Sequence, residues 1–350
     1  MKILIIRFSA LGDISLVVPV IREIVSQDPA IKIDILTNPK LKGLFNDIPQ
    51  CRVLEDNVFK EYNSLVRMWK LSRKLIRENY DAVVDLHDSL RTKILKLFFS
   101  FTSLKVHTYD KGRKEKTKLL AKVYKNTEPL MLTSERYLKA FKNILSVQTV
   151  TQWSFVKHGI VLNPVKLDQF NEKLKNVCNP HHTLIGIAPF SRHQVKEWPL
   201  DKVKSLIEKL LLDNNKQIFL FGNGSREMTL MQELQKMNEH RIHLSANYFT
   251  FDEELCLMSR LSTMISMDSA NMHLAELSGC PNVISIWGPT HSNLGFAPLF
   301  HRDKFFVLVN PIDLPCRPCS IYGNKPCHRG DHACMERINT DDVLKKVITQ

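Results

Sequence analysis

The chain has 350 residues, 44% of them hydrophobic and 24% charged, with no low-complexity stretch, which is the composition of a globular protein large enough for two cored domains. Lysine and arginine (49) outnumber aspartate and glutamate (36), and the resulting net charge of +13 predicts an anionic partner: nucleic acid, an acidic membrane surface or a phosphorylated small molecule. No apolar run approaches the roughly 20 residues of a membrane span, and Arg7 cuts the N-terminal apolar run too short for a signal peptide, so the expectation is a cytoplasmic protein with mostly reduced cysteines.

Residues 2–7 read as a short buried strand. Residues 8–13 form a turn containing Gly12, and residues 14–26 have helical spacing, with Leu16, Val17, Val20, Ile21 and Ile24 on one side. Residues 31–36 are a second strand, and strand–helix–strand is the unit of a parallel sheet. A helix around 62–78, strands at 82–86 and near 104–108, and a helix at 133–145 follow. Between about 147 and 182 the periodicity fades, punctuated by Pro164, Asn179 and Pro180, which suggests an interdomain connection. A second series then begins, with strands at 184–188, 217–221, 263–267 and 283–287 and helices at 200–212, 226–237 and 271–278. The last helix, 340–348, opens with Asp341 and Asp342, which suits a helix N-terminus. The predicted architecture is α/β: two Rossmann-like domains, 1–165 and 166–350, facing across a cleft, with the final helix packing back on the N-terminal domain. Ligands in such sheets bind beyond the carboxyl ends of the strands.

Polar residues collect at those strand ends. In Arg7-Phe8-Ser9-Ala10-Leu11-Gly12-Asp13, Gly12 permits a tight turn, Ser9 offers a hydroxyl and Asp13 begins the helix, where it caps the helix or acts as a base. After the strand at 184–188, Ser191, Arg192 and Lys196 are either phosphate contacts or a solvated basic loop. Ser266-Met267-Asp268-Ser269-Ala270-Asn271-Met272-His273 ends a strand in small residues and starts a helix, whose free N–H groups suit a pyrophosphate. His273, in that first turn, is structural or functional. Gly222-Asn223-Gly224 lacks the third glycine of a dinucleotide fingerprint.

The segment around Arg7–Asp13 with Pro19, together with Asp85-Leu86-His87-Asp88-Ser89-Leu90-Arg91, Lys196-Glu197-Trp198-Pro199, Asp268-Ser269-Ala270-Asn271-Met272-His273-Leu274-Ala275 and Trp287-Gly288-Pro289-Thr290, resembles the lipopolysaccharide heptosyltransferases. These form a glycosyltransferase family of GT-B architecture. The resemblance implies an inverting, metal-independent transfer of heptose from ADP-heptose to the inner core of lipopolysaccharide. It implies that Asp13 is the base, and that Ser191, Lys196, Glu227, Asp268, Ser269, Ala270 and His273 bind the donor in the C-terminal domain. Ser191 and Lys196 then face the pyrophosphate, Asp268 the sugar hydroxyls and Glu227 the ribose. Ser9, Arg91, Lys111, Arg113 and Lys114 would bind an anionic glycolipid acceptor in the N-terminal domain, at the inner face of the cytoplasmic membrane. Many relatives have glycine where this chain has Ala270, so another nucleotide sugar and a different surface glycan are the alternative, with a non-catalytic sugar-nucleotide binder as a third reading. No Asp-x-Asp pair is present to hold a catalytic divalent ion.

Residues 105–125 hold eight basic side chains against two acids, a solvated face or an acceptor or membrane surface. Cys316, Cys319, Cys327 and Cys334, with His328 and His332 among them, suggest either a structural zinc site or a cysteine-rich loop. An oxidoreductase would want a glycine fingerprint after the first strand, where only Gly12 stands. A nucleic-acid binder would want aromatics interleaved with its cations, and residues 105–125 offer only Tyr109 and Tyr124. The expectation is no nucleic-acid partner.

Overall fold

The computed structural model describes residues 1–121, 128–146, 148, 150, 152–179, 181–300, 306–308 and 314–348. The chain divides into two compact units: Met1–Gly112 with Met131–Ile160, and Arg113–Leu130 with Val161–Gln350.

The first unit holds a parallel five-stranded sheet in the order β3-β2-β1-β4-β5, made of β1 (Lys2–Ile6), β2 (Lys32–Leu36), β3 (Cys51–Val53), β4 (Ala82–Asp85) and β5 (Lys105–Thr108). Helices α1 (Leu11–Ser15) and α2 (Val17–Gln27) link β1 to β2, α3 (Val58–Glu61) and α4 (Leu65–Ile76) precede β4, and α5 (Leu90–Phe99) leads to β5. Ile3, Leu4, Ile5 and Ile6 are all fully buried, as expected of a strand covered on both faces. Met68, Leu71 and Leu75 of α4 and Leu95 and Phe99 of α5 share one core with Leu4, Ile6 and Val83 of the sheet. Outside this layer, α7 (Thr133–Phe141) and α8 (Phe155–His158) pack on α2. There Glu23 accepts a hydrogen bond from the buried His158 ring at 2.8 Å.

The helix α6 (Arg113–Ala121) groups with the second unit. That unit begins its main body with α9 (Pro164–Lys175), where the fading periodicity suggested a linker. Pro164 starts this helix rather than interrupting it, because the first helical position needs no N–H, and the Asn163 side chain caps the next two amides. Six parallel strands follow in the order β11-β10-β9-β6-β7-β8. They are β6 (Thr183–Ala188), β7 (Lys216–Leu220), β8 (Ile242–Leu244), β9 (Thr263–Met267), β10 (Val283–Trp287) and β11 (Phe306–Leu308). The helices are α10 (Leu200–Leu211), α11 (Ser225–Gln235), α12 (Ser245–Tyr248), α13 (Phe251–Arg260), α14 (Ala270–Leu277), α15 (Ala333–Glu336) and α16 (Thr340–Ile348). Where the sequence suggested a return to the N-terminal half, α16 packs on α10 of its own unit, burying Val343 in the core that holds Leu206, Leu210 and Ile286. Among the described residues no helix is long and apolar enough to cross a membrane.

Each sheet reverses direction of growth at one place: between β1 and β4 in the first unit, and between β6 and β9 in the second. The crevice outside the carboxyl ends of such neighbouring strands is where doubly wound sheets bind ligands. The four loops so selected follow Ile6, Asp85, Ala188 and Met267.

Candidate functional site

In the first unit, Arg7 leaves β1 almost fully buried, at 6% exposure. Its guanidinium donates to the Leu86 carbonyl at the end of β4, pairs with the Asp13 carboxylate, and lies 5.8 Å from the Tyr137 ring centroid. Burial alone would favour loss of this proton, but Tyr137, Asp13 and Tyr109 outweigh it and hold the Arg7 pKa above its ordinary value. A permanent buried cation therefore anchors Asp13. Asp13 is the third residue of the short helix α1, and its oxygen lies 3.5 Å from the Ala10 amide, so it completes the helix start. Its side chain nevertheless remains 33% exposed. The cap reading and the base reading thus describe one carboxylate with one side on the protein and one side open. Ser9 is half-buried beside it.

The β4 loop is built on Asp85, which is fully buried and accepts from the His87 and Asp88 amides, both at 2.9 Å. The Lys96 ammonium lies 3.2 Å from its other oxygen. His87 accepts a hydrogen bond from the Phe8 amide at Nδ1, 3.2 Å, which ties the two loops together. Burial, then the Arg7 and Lys111 charges, push its pKa down to about 4 against the opposing pull of Asp85 and Asp13, so the ring is neutral at neutral pH. His87 was not among the residues singled out from sequence, although it stands inside the Asp85–Arg91 motif; the signal missed was its place directly after a buried strand end. Lys111 donates to the Asp88 carbonyl at 2.8 Å. Arg91 opens α5 with its guanidinium 4.8 Å from the Phe59 ring centroid. Arg113 and Lys114 stand exposed on α6 and belong to the second unit, so the structure does not group them with Ser9, Arg91 and Lys111. Lys116 of the same basic run is buried over Phe296, at 4.2 Å, and Lys122 and Lys125 lie outside the described residues.

In the second unit, the loops after β6 and β9 meet at Asp268. Lys196 donates to its backbone carbonyl at 2.6 Å and to its carboxylate at 3.1 Å. Ser191 donates to the same carbonyl at 3.3 Å, and Thr290, after β10, donates to the carboxylate at 2.7 Å. Ser269 is the N-cap of α14 but makes no side-chain cap, its hydroxyl being 3.0 Å from that of Ser266. A helix start leaves its first amides without intrahelical partners. Ala270, Asn271 and Met272 supply those amides here, with Lys196 and Ser191 held beside the residue that precedes them. This arrangement can receive an anion. His273 is buried in the first turn of α14. Glu227, at the start of α11, accepts from the Asn223 amide at 2.8 Å, so it shapes the loop after β7. Next to it, Arg226 pairs with Glu197 through both guanidinium nitrogens, at 3.0 and 2.7 Å.

Two residues that the sequence reading passed over support Lys196. Gly323 has φ +73°, and a Cβ there would lie 2.5 Å from Lys196 Cγ, so its bare backbone carries the lysine stem. Arg317, 3% exposed, donates to the carbonyls of Gly288, Trp287 and Thr290 and so fixes the loop that carries Thr290. Both lie in the cysteine-rich segment. Cys316, Cys319, Cys327 and Cys334 all face one small cavity with Val195, and all are free thiols. Among the described residues, no three or more His, Cys, Asp or Glu side chains gather to hold a metal ion.

Two Rossmann-like units, each with polar loops at its switch point, the second with a lysine and a helix start beside each other, are the GT-B architecture. The model of glycosyltransferase family 9 (heptosyltransferase) matches residues 68–321, and the chain belongs to that family. The chain is 25% identical to lipopolysaccharide heptosyltransferase 1 of Campylobacter coli, over 99% of this chain and 98% of the relative. A family 9 glycosyl transferase from Veillonella parvula superposes with a TM-score of 0.73 at 16% identity, covering 99% of this chain and 96% of that one. The E. coli ADP-heptose lipopolysaccharide heptosyltransferase II gives 0.72 at 19% identity, covering 100% and 98%.

Proposed function

We propose that this glycosyltransferase moves heptose from ADP-heptose, with inversion, onto the inner core of lipopolysaccharide at the inner face of the cytoplasmic membrane. The observation that carries the chemistry is Asp13: a carboxylate at the carboxyl end of β1, held by a buried arginine and still one-third open. In this reading Asp13 takes the proton of the acceptor hydroxyl as the acceptor oxygen attacks the anomeric carbon. The bond to ADP breaks on the opposite face, and ADP carries away the electron pair. Lys196, Ser191 and the amides of Ala270 and Asn271 offset the charge that develops on the pyrophosphate. Asp268 holds Lys196 in the free protein and turns to the sugar hydroxyls when the donor draws the lysine away. Glu227 serves the ribose and His273 packs behind the helix start. Ser9, Arg91 and Lys111 serve the acceptor, and Arg113 and Lys114 offer exposed charge to its anionic groups. The names of the relatives support the donor and the acceptor, as both lipopolysaccharide and ADP-heptose occur among them.

Asp13→Asn tests the base. Turnover is expected to fall by about 10²- to 10⁴-fold, with ADP affinity unchanged by calorimetry; wild-type turnover in this variant would sink the assignment. Because the cationic partners of the leaving group are protein groups, a chelator is expected to leave turnover unchanged. Ala270 places a methyl at the helix start, which favours as second reading another nucleotide sugar. A thermal-shift panel of ADP-, UDP- and GDP-sugars separates the two, because a ligand of the folded form raises its melting temperature.

A further inference from the structure

Seven of the 16 exposed large hydrophobic side chains among the described residues fall between Phe59 and Phe101, on α3, α4, α5 and the residue pair after α5. The inner faces of these helices are satisfied by the core, through Met68, Leu71 and Leu75 on α4 and through Leu95 and Phe99 on α5. The outer faces repeat the helical spacing and carry exposed apolar side chains. Leu65 and Trp69 lie one turn apart on α4, and Leu90, Leu97 and Phe101 follow one line along α5 and past its end. Leu90 is 76% exposed, Phe101 80% and Trp69 49%. Since α4 and α5 pack on each other, the two stripes adjoin.

The charge on these helices names the occupant. Together α4 and α5 carry seven cations and no acid. Two of the seven pair with buried acids, Lys74 with Asp56 and Lys96 with Asp85. Of the other five, Arg67 donates to the Glu61 carbonyl and the Asn63 side chain, and four flank the apolar stripe: the Arg73 guanidinium lies 5.9 Å from the Trp69 ring centroid and that of Arg91 4.8 Å from the Phe59 centroid, while Lys70 and Lys93 are exposed beside them. The short helix α3 adds Lys60 and one acid, Glu61. Aromatic and aliphatic side chains ringed by basic ones are the composition of a surface that rests in the headgroup region of an anionic bilayer. A second copy of the chain would set like charges against each other on this face, which disfavours a dimer there.

The patch also leads to the site. Phe59 packs edge-on against Phe8 at 6.2 Å, and Phe8 against His87 at 5.3 Å, so an apolar path runs from the exposed helices to the loops after β1 and β4. We propose that the outer face of α3, α4 and α5 docks this protein on an anionic phospholipid surface, presenting the loops of Asp13 and His87 to a lipid-anchored acceptor. The proposal rests on the lipid-acceptor reading above.

The test is sedimentation of the full chain with vesicles of equimolar phosphatidylglycerol and phosphatidylcholine, against phosphatidylcholine alone. The protein is expected to bind the anionic vesicles only, and more weakly as salt rises. Trp69→Glu with Phe101→Glu, and separately Lys70→Glu with Lys93→Glu, should each lower that binding about tenfold or more. Both should keep the wild-type melting temperature and wild-type transfer to a deacylated, water-soluble acceptor. Absence of vesicle binding by the wild type, or equal binding by both variants, would overturn the proposal. So would a concentration-dependent dimer, formed without vesicles, that the variants abolish, because the face would then belong to a second copy. Vesicle binding is read without any turnover, so loss of the transferase reading and loss of the docking reading give different results.

Discussion

The Lys196 ammonium lies 2.6 Å from the backbone carbonyl of Asp268 and 3.1 Å from its carboxylate, so a lysine from the loop after β6 is held on the residue that precedes the start of α14. The pair places a positive charge next to fixed backbone donors, and a pyrophosphate can compete for that charge because the ion pair keeps some exposure, 11% and 13% for the two side chains. Lys196→Ala is therefore expected to weaken ADP binding and to lower turnover by about 10²- to 10³-fold. Asp268→Asn should leave the lysine in place through the carbonyl and cost less. Calorimetry with ADP and a coupled transfer assay measure both; equal ADP affinity in wild type and Lys196→Ala would remove lysine from the donor site.

Gly323 is the part of this device that has no charge. Its φ of +73° and the absence of a Cβ let the cysteine-rich segment run under the lysine stem, where an added carbon would sit 2.5 Å from Cγ and 2.6 Å from Cδ. Gly323→Ala meets a left-handed backbone penalty of about 1–2 kcal/mol and pushes Lys196 aside. A lower melting temperature together with a higher KM for the donor is the expected pair of effects. A stability loss with an unchanged donor KM would mean that the lysine adjusts freely and that Gly323 serves the loop alone.

The strand–loop–helix order and the loops after β1, β6 and β9 were legible because each buried strand is an apolar run that ends abruptly in small and polar residues. Such local signals are carried by residues near each other in the chain. The three-residue strands β3, β8 and β11 were not legible, since three residues are too few for a period and their pairing comes from neighbours distant in sequence. Pro164 misled for a related reason: the same residue that breaks a helix interior starts one well, and only the cap by Asn163 tells the two apart. Arg317 and Gly323 act through contacts across the fold, and spacing in the sequence carries no trace of them. The cysteines show the converse. Their spacing was visible at once, but the sulfurs meet around a cavity without gathering as a metal-ligand set among the described residues.

His87 and His291 should set the acid limit of the fold. Each accepts a backbone hydrogen bond at Nδ1, from Phe8 at 3.2 Å and from Asn293 at 3.0 Å, and a protonated ring cannot accept it there. Burial first, then a neighbouring arginine, Arg7 or Arg317, pushes each pKa down to about 4 from an ordinary value near 6.5. The unfolded chain then takes up these protons before the folded one as pH falls. The stability they contribute is complete above about 6.5 and is lost progressively toward pH 4. Melting temperatures recorded across that window should fall steeply, and His87→Gln should flatten the slope. A slope identical to wild type in that variant would show that His87 titrates equally in both states.

Arg317 gives the last test, because it ties stability to the loop that carries Thr290, beside the proposed donor site. Its guanidinium is buried and donates at 2.6 Å to Gly288, 3.1 Å to Trp287 and 3.3 Å to Thr290, where burial lowers its pKa. The loop it holds also brings the Thr290 hydroxyl to the Asp268 carboxylate at 2.7 Å. Arg317→Met keeps most of the side-chain volume and removes every donor, leaving three carbonyls to find other partners. The expected loss is about 2–4 kcal/mol by urea denaturation. Weaker ADP binding should accompany it, because Thr290 no longer steadies the carboxylate that holds Lys196. An unchanged urea midpoint would show that solvent replaces the guanidinium at little cost. A lowered midpoint with full ADP affinity would separate the loop's structural role from the donor site.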